Sequence, residues 1–356
     1  TVHQWVHWRD GQGQRPAAIG EARGRASEKA EVEVEEVDEL DFELAVDVAT
    51  KLVKSAWSRV SETAISWGDA VDQLRYQVPR LRRLRAIEDN TPLSFSLALA
   101  EQAESIPERT FFLWKGRAFA YGESNARVDN VVRGLIACGV LPTQRVGVLM
   151  HGRPSYLSLV AAINRIGAVA VLVDPASSDA VLVDAFALAE VAVLVVDPEN
   201  MQHARSLFSG EIFVLGGGGE KRELGQGVID LENIHPDAVK IPAWYMPNPG
   251  RARDLALIII AAGADTARAL HITNHRWAFS AYGAAAAATL TSKDTVYCCL
   301  PLHHAAGTMV SVGSALVSGA RLALAEGFSP DTFWSETRRY GATVVFYAGE
   351  MCRQLV

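Results

Sequence analysis

The hydrophobic rhythm of the chain changes several times between its two ends. Residues 1–27 are polar and rich in Gly and Arg, and residues 28–47 interleave acids with Val32, Val34, Val37, Leu40, Phe42 and Leu44. Like charges at that density repel and stay solvated, so 1–47 is expected to be an extension or linker. Residues 48–94 take a helical spacing instead. Leu52, Trp57, Val60, Ile65 and Trp67 supply apolar contacts, and Arg75, Arg80, Arg82, Arg83 and Arg85 cluster around Leu74, Val78, Leu81 and Leu84.

From residue 110 short apolar runs alternate with amphipathic segments. Thr110–Trp114 and Ala118–Tyr121 flank Lys115-Gly116-Arg117, a hairpin signal. Helices are expected over Glu123–Cys138, Tyr156–Ile166, Val181–Leu188, Asn274–Thr289, Gly307–Leu316 and Asp331–Tyr340. Strands are expected at Val146–Met150, Ala168–Val173, Val191–Val196, Leu255–Ile260, Thr295–Leu300, Arg321–Ala325 and Thr343–Tyr347. Unbroken Val/Leu/Ala strands separated by helices indicate a parallel sheet covered on both faces, so the fold class is α/β. The rhythm breaks at 216–253, with a four-glycine run from Gly216 and then Pro236, Pro242, Pro247 and Pro249. That stretch is expected to be a flexible connection between a first α/β subdomain, 95–215, and a second, 254–356.

Composition narrows the picture. With 49% of its 356 residues hydrophobic, the chain can bury a large core and is not intrinsically disordered. A net charge of −7 disfavours a nucleic-acid partner, which needs a positive field. Cys138, Cys298, Cys299 and Cys352 are too few and too scattered for a disulfide scaffold and read as reduced, cytoplasmic thiols. No Cys/His spacing matches a zinc site. No uncharged apolar run reaches the ~18–20 residues needed to span a bilayer; the best candidate, Ala180 to Val196, is interrupted by Asp184 and Glu190. The first residue is Thr1 rather than Met, which points to a start that is not the native one.

The arginines of 75–85 beside an apolar stripe are what an interfacial helix presents to anionic lipid, so Arg80, Arg82, Arg83 and Arg85 are membrane-facing candidates, at the inner face of the plasma membrane. The competing expectation is a surface helix with its Leu side packed inward. Among catalytic signatures, G-x-S-x-G, the Walker loop and the dinucleotide fingerprint are absent. His303-His304 begins an HHxxxD acyltransferase motif, but Thr308 stands at the acid position. These histidines follow an expected strand, where α/β sheets place ligands.

Taken together, several stretches resemble one family. They are Tyr121–Arg127 (YGESNAR), Arg145–Met150, Arg165–Ala170 (RIGAVA), Asn274–Trp277, Tyr297–His304 (YCCLPLHH), Gly319–Ala323, Phe328–Trp334 (FSPDTFW), Tyr340–Thr343 and Tyr347–Arg353 (YAGEMCR). Over about 95–356 the chain is similar to the adenylate-forming (AMP-binding) acyl-CoA synthetases, on the long-chain and very-long-chain fatty acid (fatty-acid-transport-protein) branch as found in mycobacteria. The resemblance implies the large N-terminal domain of that fold, here incomplete, and a chemistry that uses ATP, Mg and coenzyme A to activate a fatty acid through an acyl-adenylate. It aligns the family phosphate loop, roughly YTSGTTGLPKA, with residues 260–270. Its remnants here are Gly263, Asp265, Thr266 and Arg268, while the hydroxyl and lysine positions carry Ala261, Ala262, Ala264 and Ala269. The resemblance also assigns the acyl and carboxylate pocket to His304, Tyr347, Gly349 and Glu350, with His303 beside His304 in place of the family's usual aromatic.

With its hydroxyls and lysine replaced and a carboxylate added, that loop is a poor host for phosphates. The expectation is a decayed synthetase that binds neither ATP, Mg nor coenzyme A tightly. It would be kept as a lipid-binding or scaffolding domain for a long-chain fatty acid or acyl-CoA, with a protein partner, a fused domain or a membrane surface. The alternatives are an active fatty acid–CoA ligase and a purely structural subunit.

Overall fold

The computed structural model describes residues 67–355 apart from 218–221, 223, 226 and 263–266. The expectations for 1–47 and for the first part of the 48–94 segment lie outside the described residues.

In chain order the strands are β1 (Thr110–Trp114), β2 (Arg117–Ala120), β3 (Arg145–Leu149), β4 (Val169–Leu172), β5 (Val193–Val196), β6 (Glu211–Val214), β7 (Val228–Asp230), β8 (Leu255–Ala262), β9 (Ala267–Thr273), β10 (Thr295–Cys298), β11 (Arg321–Leu324) and β12 (Val344–Val345). The α-helices are α1 (Trp67–Arg85), α2 (Phe95–Ser105), α3 (Tyr121–Ala137), α4 (Pro154–Ile166), α5 (Asp179–Leu188), α6 (Met201–Leu207), α7 (Asn274–Ala287), α8 (Gly313–Ser318), α9 (Pro330–Tyr340) and α10 (Gly349–Leu355). A π-helical segment, Ala306–Val312, leads directly into α8.

Local chemistry sets the helix ends. Ser94 caps α2 by accepting the Leu97 N–H at 3.0 Å, and the Glu123 carboxylate accepts the Ala120 N–H at 2.9 Å at the start of α3. Pro154 opens α4 and Gly167 closes it in the left-handed conformation. The strands β4 and β5 are buried at every position, as the unbroken apolar runs require.

Two sheets result. One has seven strands in the order β7-β6-β5-β3-β4-β8-β9, the other five in the order β12-β10-β11-β1-β2. Each is parallel except at one edge, where β9 returns antiparallel to β8 and β2 returns antiparallel to β1. The largest core cluster lies where the sheets and helices α2, α3, α4 and α7 meet, around Phe111, Tyr121, Leu135, Ile163 and Trp277. Tyr121 also ties distant parts together, donating its hydroxyl to the Ala320 carbonyl at 2.9 Å.

The sheets do not divide the chain where the sequence pattern suggests. β1 and β2 join the sheet built by β10–β12, and β8 and β9 join the sheet of β3–β7, so strand pairing interleaves the expected subdomains 95–215 and 254–356. Parallel pairing across long crossovers leaves no local mark in sequence. The 216–253 stretch is also not a free excursion in its described part. β7 extends the seven-stranded sheet beside β6, Glu232 pairs with Arg127 at 2.5 Å, and Arg222 pairs with Asp230 at 3.1 Å.

The small-residue run of α7 serves close helix packing. Ala278, Ala281 and Ala285 are fully buried, and a Cβ added to Gly313 of α8 would lie 2.8 Å from the Ala281 methyl. Among the described residues no helix is long and apolar enough to cross a membrane.

Candidate functional site at the carboxyl ends of two sheets

Because β3, β4, β5 and β8 are mutually parallel, their carboxyl ends form one rim, and parallel β1, β11, β10 and β12 form a second. Ligands of open α/β sheets sit outside such ends. The two rims meet at His303 and Asp174. His303 follows β10, Asp174 follows β4, and the imidazole Nε2 lies 3.6 Å from the carboxylate Oδ2. Asp174 is held in place by accepting the Ala176 N–H through its other oxygen at 2.9 Å. Burial pushes the His303 imidazole below its ordinary pKa; Asp174 acts against that shift and His304 acts with it.

His304 is exposed, and its Nδ1 accepts the Ala306 N–H at 3.2 Å. In the neutral ring the proton therefore sits on Nε2. The turn that presents both histidines is closely packed. Thr308 donates its hydroxyl to the Leu302 carbonyl, and Gly307 lies so near the Pro301 carbonyl that any Cβ there would overlap it.

Of the other residues assigned to the acyl pocket, Tyr347 follows β12, the neighbour of β10, and packs in a small apolar cluster with Cys299, Phe328, Phe333 and Met351. Gly349 and Glu350 open α10 at the surface, and Glu350 pairs with Arg353 at 2.6 Å. Cys298 and Cys299 are no nucleophiles at this rim, because burial pushes both thiols up to about 12.

At the neighbouring end of the seven-stranded sheet, Gly263, Asp265 and Thr266 lie outside the described residues. The hairpin that carries them is clear on both sides, with Ala261 opposite Arg268 and Ala262 opposite Ala267. Arg268 is exposed on the edge strand β9. The Ala267 N–H, the first described donor after the connection, is held by the Asp184 carboxylate of α5 at 3.0 Å.

Sequence reasoning does not single out three rim carboxylates. Asp174 and Asp184 are two of them. The third, Asp197, follows β5 and is fully buried. It accepts the His151 backbone N–H at 2.8 Å, contacts the His151 Nδ1 at 2.9 Å and accepts the Asn200 side-chain amide at 2.6 Å. This arrangement locks the ends of β3 and β5 together. The available signal is Asp-Pro after a Val-rich strand, at Asp174-Pro175 and Asp197-Pro198.

The arginines of α1 divide by direction. Arg82 and Arg85 are exposed. Arg83 donates to Glu101 at 2.7 Å and lies 5.5 Å over the Tyr282 ring. Arg80 is turned inward, 7% exposed, and donates to the Ala285 and Leu290 carbonyls at 3.2 and 2.6 Å. It is therefore not a membrane-facing residue: a guanidinium can cap the carbonyls at a helix end, and that contact takes it to the interior.

Comparison with known proteins matches this architecture to a family. Residues 99–356 match the AMP-binding enzyme family. Over 272 residues the chain is 28% identical to the medium/long-chain-fatty-acid–CoA ligase FadD6 of Mycobacterium tuberculosis, a match covering 75% of this chain and 44% of that protein. It is 26% identical over 290 residues to long-chain fatty acid transport protein 1 of Rattus norvegicus, covering 78% of this chain and 43% of that one. A crystal structure of a long-chain-fatty-acid-CoA ligase (FadD1) from Archaeoglobus fulgidus shares the fold, with a TM-score of 0.63 at 20% identity over 76% of this chain and 54% of that one. The chain thus spans less than half the length of these two curated relatives. With the family match covering most of the chain and the two-sheet core agreeing with a solved fold, this protein belongs to the AMP-binding enzyme family.

Proposed function

We propose that this chain is a fatty acyl-CoA synthetase-type domain whose nucleotide loop has lost its function, and that it is kept to bind a long-chain fatty acid or acyl-CoA within a larger lipid-handling assembly. The β8–β9 hairpin carries the reading. A triphosphate needs convergent N–H and O–H donors and a cation, each charge-assisted bond contributing ~1.5–3 kcal/mol. Ala261 stands opposite Arg268 and Ala269 opposite Ile260, so neither position brings a hydroxyl or an amine to the hairpin's end. The Arg268 side chain is the one cation among the described residues of the hairpin's end, and the Ala267 N–H is already engaged by Asp184. Asp265 adds a carboxylate to the connection itself. The residues present do not fit ATP with its Mg ion, so no adenylation step is assigned to this chain, nor one through coenzyme A.

The acyl side makes smaller demands. Apolar walls suffice to hold a fatty chain, at ~0.8 kcal/mol per methylene buried. The cluster around Cys299, Phe328, Tyr347 and Met351 lies beside the strand that delivers His303 and His304, and it is the candidate wall. The exposed His304, with its proton on Nε2, is the candidate donor to a carboxylate or thioester oxygen.

Calorimetric titration with palmitate or palmitoyl-CoA, together with an ATP–pyrophosphate exchange assay, tests the reading. Saturable fatty-ligand binding without exchange is the expected result. Fatty-acid-dependent exchange would establish a working ligase that uses Thr266 and Arg268, and an absence of both signals would leave a structural subunit.

A further inference from the structure

Away from the rim, a cleft of about 270 Å³ opens between α1, α2, α7 and α8, bordered by Arg75, Tyr76, Arg80, Arg83, Glu101 and Tyr282. We propose that this cleft is a phosphate-binding site, with Arg80 as its fixed floor and the exposed Arg75 as its second contact.

Charge balance comes first. Three guanidiniums border the cleft against one carboxylate. Glu101 is committed to Arg83 at 2.7 Å, and Arg83 is further held over the Tyr282 ring. Among the described residues no carboxylate pairs with Arg75 or Arg80.

Arg80 is the unusual member, because a charged side chain 7% exposed normally faces a counter-charge. Its two bonds run to neutral carbonyls at the end of α7, whose dipole offsets only part of the charge. They use one N–H on each terminal nitrogen. Among the described residues the other N–H groups have no protein acceptor, and because Arg80 borders the cleft they are available to a ligand there. The Asp294 carboxylate acts on Arg80 from a distance, and an anion in the cleft supplies direct acceptors and further charge together.

A phosphate group suits this arrangement better than a carboxylate. Its dianion matches two guanidiniums that have no direct carboxylate partner among the described residues, and its tetrahedral oxygens can take a planar fork from Arg80 while meeting Arg75 from another side. The two bonds to the α7 end pre-orient Arg80, so little side-chain entropy is lost on binding. The group can arrive free in solution or as the headgroup of a phospholipid, and Arg82 and Arg85, exposed on the same helix, would then lie near the membrane surface.

The test uses the full chain and two probes, inorganic phosphate by calorimetry and vesicle co-sedimentation with phosphatidylcholine alone or mixed with phosphatidylglycerol. Saturable phosphate binding is expected, weakened about tenfold by Arg75→Ala, which removes an exposed contact without touching the core. Arg80→Lys keeps the charge but loses the fork, and a comparable loss is expected in a protein with unchanged circular dichroism. Phosphate binding with co-sedimentation that needs phosphatidylglycerol and Arg75 assigns the headgroup as the source. Phosphate binding without co-sedimentation assigns a soluble phosphate. Absence of phosphate binding, or binding indifferent to both substitutions, overturns the site even if vesicles are bound, because a diffuse surface charge would then account for it.

Discussion

His303 Nε2 stands 3.6 Å from Asp174 Oδ2, and this contact joins the carboxyl end of β10 in one sheet to that of β4 in the other. The pair links two structural bodies and also borders the candidate site. Burial keeps the imidazole pKa below its ordinary value despite the nearby carboxylate.

That balance gives stability a direction with pH. The folded-state pKa of His303 lies below its ordinary value, and the unfolded chain titrates near ~6.5. As pH falls through that region the unfolded chain takes up the proton first, so stability declines on acidification and levels off below the folded value. Urea unfolding followed from pH 8 to 5 should show this decline in the natural protein and a flatter profile in His303→Gln. Parallel profiles would remove His303 as the cause.

Gly307 controls how the histidine turn is presented. A methyl there would overlap the Pro301 carbonyl, so Gly307→Ala must displace the turn carrying His303 and His304. A loss of about 3 kcal/mol in unfolding free energy is expected, together with weakened fatty-ligand binding. Unchanged stability would mean that the turn is looser than its packing indicates.

Arg80 anchors α1 to the end of α7. Arg80→Met keeps much of the side-chain volume but removes both carbonyl contacts, and it should destabilise the protein by about 2–3 kcal/mol in urea unfolding. Arg82→Met, at an exposed position on the same helix, should change stability by less than about 0.5 kcal/mol. Equal effects of the two would argue against the anchor.

Much of this fold can be read from the chain because its signals are local. Uninterrupted Val-rich runs mark β4 and β5, and Pro154 and Gly167 bracket α4. Elements lacking a strong local mark are harder to see. α6 has only seven residues, β7 only three, and β9 looks like a continuation of a loop until its pairing with β8 is known. The site follows the same division. His303 and His304 stand out because they follow a strand, and the altered loop stands out through Asp265 and Ala269. Asp174 and Asp184 do not, because their significance lies in what parallel pairing and helix packing bring beside them, to His303 and Ala267. The direction of Arg80 is equally hidden, since the helical spacing of its neighbours fits a surface and an anchor alike.

The central claim is that the β8–β9 hairpin no longer receives nucleotide phosphates. Calorimetric titration with Mg-ATP of the natural chain, beside the variant Ala261→Thr/Ala262→Ser/Asp265→Thr/Ala269→Lys, tests it most directly. The account predicts no saturable binding to the natural chain and a measurable gain in the variant. Saturable Mg-ATP binding to the natural chain, unimproved by the four substitutions, would contradict it.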